Sequence, residues 1–298
     1  MCEKVDFSKY PNLSLLLWDC RDKILEAAEA FYVLDSRLEK YLTEDSLNAG
    51  EKALIKSLAN EYGSGICGPV IIGDSNYGFL PSEVIDIIKC HVDSNMIMDN
   101  DFFLGGTALP AIRYGKTRPF IDIEFLSSGK TSLSTVKSSV AEITDLRFIR
   151  QPRLDKNSVT LWVDFRGYPC KLVFLQETIL DLSQPVDCFG MQSLNDVDLM
   201  AIKIMRCADS HFFIRDKAGE LADVLTIYRA DPSVLKTAWI NAVSAYGTSL
   251  HERVLDMLTA DNLSTLFKDC GIREEKAAAL LKTIPAFMED LSFLLNAR

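Results

Sequence analysis

Apolar positions along the chain change their period twice. Near the start, Leu13, Leu16 and Leu17 lead into Ile24, Leu25, Ala28 and Phe31 at helical spacing. Residues 10 to about 62 are therefore expected to be helical, with a second helix from Ala49 to Tyr62 ended by Gly63-Ser64-Gly65. Cys67–Gly78 reads as a short apolar strand or loop. Pro81-Ser82-Glu83 is a helix start, and Val84–Val92 continues it. The texture then turns to strands. Asp101–Leu104 is a short strand closing in Gly105-Gly106, and Thr107–Tyr114 suits a short helix. Phe120–Leu126 alternates with acids on one side at period two. Ser132–Ile143 suits a helix. Leu146–Arg150, Val159–Phe165 and Lys171–Leu175 read as strands, with Arg166-Gly167-Tyr168-Pro169 turning the last two. After Pro185 no strand is expected. Asn195–Ala208 and Lys217–Tyr228 read as helices, and a helical array follows from Pro232.

This order predicts an α+β fold: a small mixed sheet of about four or five strands, flanked by N-terminal and C-terminal helical regions. The expected divisions are 1–95, 96–183 and 184–298. The sheet strands would be Phe102–Leu104, Phe120–Leu126, Leu146–Arg150, Val159–Phe165 and Lys171–Leu175.

Composition narrows the class. The chain has 298 residues, 48% of them hydrophobic and 25% charged, enough to bury a core without a staple. A net charge of −10 counts against a dedicated grip on a phosphate backbone. It leaves room for an enzyme with a local basic cleft. The 8 cysteines include no CxxC pair and only 3 histidines accompany them, which argues against a structural zinc module. They read as reduced thiols of a cytoplasmic protein. No basic stretch precedes an apolar run at the N-terminus, so no signal peptide is expected, and the apolar runs are too short to span a bilayer.

Two features bear on chemistry. A strand ending in Gly105-Gly106-Thr107 and opening into a helix offers backbone N–H groups and a hydroxyl to an anion. Asp122 and Glu124, two apart on a strand, point to one face between Ile121, Ile123 and Phe125. Adjacent carboxylates repel, and magnesium, which favours carboxylates with phosphate oxygens, would relieve that repulsion.

Together, a Gly-Gly-Thr turn, a short helix and an acid-x-acid strand resemble the DNA polymerase β-like nucleotidyltransferase superfamily. Phe103-Leu-Gly-Gly-Thr-Ala-Leu109, Arg113-Tyr-Gly-Lys-Thr-Arg118 and Asp122-Ile-Glu-Phe125 resemble the AbiEii/AbiGii toxin family within it. Asp198-Leu-Met-Ala-Ile-Lys203 resembles that family's lysine helix, and Arg215-Asp216 with Glu220-Leu-Ala-Asp223-Val-Leu225 its second element. The likeness covers roughly residues 96–230. Glu124 stands where the family has Asp, Phe120 where it often has serine, and Lys171–Leu175 lacks the third acid of the superfamily, for which Asp164 is the substitute.

The resemblance implies a nucleotidyltransferase core using Mg²⁺. Asp122, Glu124, Lys203 and Asp223 would be catalytic. Gly105, Gly106, Thr107, Arg118, Lys203 and Arg215 would bind the nucleoside triphosphate, and Asp122, Glu124 and Asp164 the metal. The reaction would move a nucleoside monophosphate from an NTP to an acceptor: tRNA, a protein or a small molecule. It would place the chain as the toxin of a type IV toxin–antitoxin or phage-defence system, with an antitoxin as partner and no membrane. The alternatives are a non-catalytic nucleotidyltransferase-like interaction protein and a plain α/β protein.

Overall fold

Leu80 donates its N–H to Glu83 Oε2 at 2.7 Å, and helix α1 (Pro81–His91) starts there, where the Pro-Ser-Glu run predicts it. The structure, a computed structural model, describes residues 78–129, 132–166, 168–210 and 212–296. The expected helices of residues 10–62 and the segment 67–77 lie outside the described residues. A short helix α2 (Ser94–Met98) is capped by Asp93, whose carboxylate accepts from Asn95 and Met96 N–H. The chain then enters β1 (Phe103–Gly105), α3 (Ala108–Tyr114) and β2 (Asp122–Ser127). Helix α4 (Ser132–Ser138) and a 3₁₀ turn (Val140–Glu142) divide the single helix expected over Ser132–Ile143.

Six further strands and seven helices follow: β3 (Arg147–Phe148), β4 (Arg153–Leu154), β5 (Ser158–Phe165), β6 (Tyr168–Gln176), β7 (Val186–Cys188), β8 (Met191–Ser193), then α5 (Asp196–Ala208), α6 (Ile214–Ala230), α7 (Val234–Tyr246), α8 (Leu250–Leu258), α9 (Leu263–Asp269), α10 (Glu274–Leu281) and α11 (Ile284–Asn296). All but the tip of the β5–β6 hairpin belong to one compact unit, residues 76–165 and 169–298.

The fold is α+β, with one mixed eight-stranded sheet in the order β3-β5-β6-β2-β1-β8-β7 and β4 on β5. That is larger than the four or five strands expected. The expectation that strands end at Pro185 fails at β7 and β8. β8 pairs parallel with β1, Leu104 opposite Ser193, and so extends the sheet. β7 and β8 form a hairpin through Phe189 and Gly190, both at positive φ, 54° and 78°. Such a two-residue turn matches strand twist, but its usual signal is Asn-Gly or Asp-Gly. Phe-Gly gives little warning.

Register fixes the site. β1 runs antiparallel to β2, with Gly105 opposite Glu124. β2 runs parallel to β6, with Asp122 opposite Lys171 and Glu124 opposite Val173. Phe125 stacks on Phe174 across this ladder at 5.1 Å, in the middle of a single hydrophobic core reaching from Phe79 to Leu291. Helices α5 and α6 pack on each other and on the C-terminal helices within that core. Arg113 ties the end of α3 to the start of α5, donating to Asp196, Ser193 Oγ and Leu194 O. Buried Asp198 accepts from Ser183 N, Ser183 Oγ and Asn195 Nδ2 and anchors the sheet-to-helix connection. These contacts fix α5 and α6 beside the β1–α3 turn.

Candidate active site

Gly105 is a sheet residue, and a side chain there would strike Leu126 and Leu194. Gly106 makes the turn at φ +61°, and a Cβ on it would come within 2.7 Å of the Glu124 carboxyl carbon. Backbone conformation and space both demand glycine. Thr107 follows as the residue capping α3. The turn therefore touches the second acid of β2.

Asp122 and Glu124 share a face of β2, and each meets a cation. Lys171 Nζ lies 3.2 Å from Asp122 Oδ2 and 5.8 Å from the centre of the Trp162 ring. Arg206 Nη2 lies 2.8 Å from Glu124 Oε2. The carboxyls sit in different fields. Loss of water, then the neighbouring Glu124 charge, push Asp122 up against the pull of Lys171. Burial would raise Glu124 too, but Arg206 and Lys203 bring it down to about 2.

Behind this pair lies a second cluster. Lys203 is 0% exposed. Its Nζ lies 2.8 Å from Glu220, 2.9 Å from Asp223 and 3.3 Å from Thr107 Oγ1. Arg118 Nη2 reaches the same three groups, at 3.2 Å, 3.0 Å and 2.6 Å. Its guanidinium packs against Gly219, where a Cβ would stand 3.0 Å from Arg118 Cζ. Glu220 and Asp223, three apart on α6, aim at one point, as the helical repeat predicts. Burial opposes the Asp223 charge, but Arg118 and Lys203 outweigh it and hold its carboxyl below the usual range. Thr107 Oγ1 accepts from both cations. Its two lone pairs are thereby used, and its own proton is left to donate. Arg118 Nε, also buried, has no hydrogen-bond partner among the described residues.

Of the residues singled out from sequence, Gly106, Thr107, Arg118, Asp122, Glu124, Lys203 and Asp223 thus converge. The Arg118 charge acts on Asp122 and the Lys203 charge on Glu124, which joins the two clusters. Asp164 stands elsewhere: β6 separates its strand from β2, and its carboxylate pairs with Arg147. Opposite the acidic pair, β6 presents Lys171 and Val173 instead of a third acid. Arg215 lies in the first turn of α6, where its carbonyl faces Cys270 Sγ. Sequence reasoning missed Lys171 and Arg206 and gave Glu220 no role. Arg206 had a signal, being three residues from Lys203 on one helix. Lys171 had none, because its partner is set by sheet register.

Could the residues hold a metal? No group of three or more metal-ligating side chains occurs among the described residues. Two carboxylates on one strand face do fit magnesium, which takes one or two protein carboxylates and completes its shell with phosphate oxygens and water. Beside the network, the Thr117 and Thr226 hydroxyls meet at 3.2 Å. They line a cleft of about 290 Å³ with Tyr114, Arg229, Glu275 and Lys276. No helix among the described residues is long and apolar enough to cross a membrane.

No protein-family model matches the chain, and no curated protein does. Solved structures that resemble it include two from one organism. One is a protein of H. pylori provisionally named a nucleotidyltransferase, at 16% identity and a TM-score of 0.35, covering 70% of this chain and 96% of that one. The other is JHP933 from Helicobacter pylori, at 17% identity and a TM-score of 0.35, covering 72% of this chain and 96% of that one.

Proposed function

We propose that the chain is a magnesium-dependent nucleotidyltransferase that moves a nucleoside monophosphate from an NTP to a hydroxyl acceptor. One observation carries this reading: the Gly106–Thr107 turn, the Asp122–Glu124 pair and the cations Arg118, Lys203 and Arg206 form one connected site. The motif likeness to the AbiEii/AbiGii toxins agrees with it.

In the reaction the acceptor hydroxyl gives its proton to water as its oxygen bonds to the α-phosphorus, and the bond from that phosphorus to the oxygen bridging to the β-phosphate breaks, releasing pyrophosphate. Charge builds on phosphoryl oxygens, so catalysis is positioning and electrostatics. The Thr107 hydroxyl donates to a phosphate oxygen. Arg118 contributes its guanidinium charge beside the turn, and Arg206 a guanidinium suited to forked contact with phosphate. Both keep 17% of the side chain exposed. Lys203 has no exposed surface, so it holds Thr107 in place and contributes charge from behind. Asp122 and Glu124 would hold the magnesium, which when bound supplies Lewis-acid polarisation of a phosphoryl oxygen. Asp223 orients Arg118. The cleft at Thr117 and Thr226, one turn along α6 from Asp223, is the place for the acceptor.

A second reading, a binding protein on the same fold, draws on the ion pairing of Asp122, Glu124, Glu220 and Asp223. Calorimetry with each of the four NTPs, with and without Mg²⁺, tests the first. Saturable, magnesium-dependent binding is expected for at least one. Transfer of an α-³²P label to tRNA, protein or a small alcohol then separates enzyme from binder and identifies the acceptor. No binding of any NTP would overturn the nucleotidyltransferase reading.

A further inference from the structure

The acidic pair has counter-ions of its own. Lys171 stands on the strand beside β2, opposite Asp122, where a three-carboxylate site would carry its third acid. Arg206 comes from α5 onto Glu124. Across the two clusters, four carboxylates (Asp122, Glu124, Glu220, Asp223) face four cations (Arg118, Lys171, Lys203, Arg206). A neutral site with every acid paired offers little attraction to a free divalent cation. Such an ion would have to displace Lys171 or Arg206 and would leave a partly buried cation without its partner. A metal–triphosphate chelate changes the balance. It brings phosphate oxygens to receive the displaced ammonium and guanidinium while its metal takes the carboxylates.

We propose, resting on the nucleotidyltransferase reading, that Lys171 and Arg206 are resident counter-cations that shut the acidic pair to free divalent metal. The protein then binds the metal–NTP chelate as a unit, and the two side chains pass from carboxylate to phosphate as it enters. Lys171 is the more exposed of the two: 27% of its side chain is open, and Trp162 offers its ammonium an aromatic face.

The test uses Mn²⁺ alone as the probe, with binding read by electron paramagnetic resonance of the full chain. Lys171→Met keeps the aliphatic stem and removes the charge. It is expected to bind Mn²⁺ at least tenfold more tightly than the unaltered protein, and adding Asp122→Asn should abolish the gain. Arg206→Met is expected to act alike on Glu124. Should it fail to fold, Arg206→Gln serves, since it removes the charge while keeping a hydrogen-bond donor for Glu124 Oε2. Equal Mn²⁺ affinity in the unaltered protein and in Lys171→Met overturns the proposal, whatever the NTPs do. Binding of the four Mn²⁺–NTP chelates by the unaltered protein is measured in parallel. Its absence overturns the nucleotidyltransferase reading and leaves the Mn²⁺ comparison to decide the counter-cation role by itself.

Discussion

Asp122 and Glu124 are two residues apart on one strand, yet opposite costs attach to their charges. Glu124 faces Arg206 across 2.8 Å and is held near a pKa of about 2, below its ordinary 4.5. A carboxyl with a lowered folded value contributes stability above its unfolded value and loses it as pH falls through the folded one. The Glu124 contribution is therefore full above about pH 4.5 and fades toward pH 2. Asp122 is displaced upward, so its ionisation opposes folding above its ordinary value. Glu124→Gln is predicted to cost about 3 kcal/mol at pH 7, because it leaves a partly buried Arg206 without its counter-ion. It should also flatten the fall in stability between pH 4.5 and 2. Asp122→Asn is predicted to leave the midpoint at pH 7 unchanged or higher while removing metal-dependent turnover. Urea denaturation of both variants across this pH range checks the pair. Equal destabilisation by the two substitutions would contradict the assigned fields.

Among elements, the β1–turn–α3–β2 unit was the most legible. Its signals are local: an apolar run, Gly105-Gly106, a helical stretch, then alternation from Ile121. Gly106 shows how tightly the turn and the strand are fitted. Gly106→Ala would combine a left-handed residue carrying a Cβ, costing about 1–2 kcal/mol, with a contact that pushes Glu124 away. The expected outcome is a lower melting temperature and a larger proportional loss of Mg²⁺–NTP affinity, measured by thermal melts and calorimetry. Loss of stability with unchanged affinity would separate the turn from the site. β7 and β8 escaped the sequence because three-residue strands show no countable period, and their pairing depends on β1 being free to receive Ser193. β3 and β4 are two residues each and exist as partners of β5. The site divides in the same way. Gly106, Thr107, Asp122 and Glu124 lie within one local motif, whereas Lys203 and Asp223, on two separate helices, were legible through the resemblance of those helices and not through spacing. Lys171 and Arg206 owe their positions to register and helix docking, which no local pattern encodes.

Over the whole molecule, the site needs contributions from both sides of residue 183. Asp122, Glu124 and Lys171 come from the sheet before it; Lys203, Arg206, Glu220 and Asp223 come from helices after it. β8 also lies after it and covers the β1 edge of the sheet. Arg113 on α3 spans the division to Ser193, Leu194 and Asp196. A fragment of residues 78–183 would leave β1 with an open edge, inviting association with other chains. It would uncover Leu104, Leu109 and Leu126, which share a core with Leu199 and Leu221, and strand Arg118 without Glu220 and Asp223. The fragment is therefore predicted to lack a cooperative unfolding transition and to aggregate, whereas residues 78–298 unfold cooperatively, as followed by circular dichroism and light scattering. Adding residues 184–298 during refolding should restore some soluble material, since the lost contacts lie between the two pieces. If 78–183 folded alone as a soluble monomer, the sheet would be self-sufficient. The buried cations at Thr107 would then be an attachment to a finished domain, and the connection between folding and the site drawn from Arg118 and Lys203 would not hold.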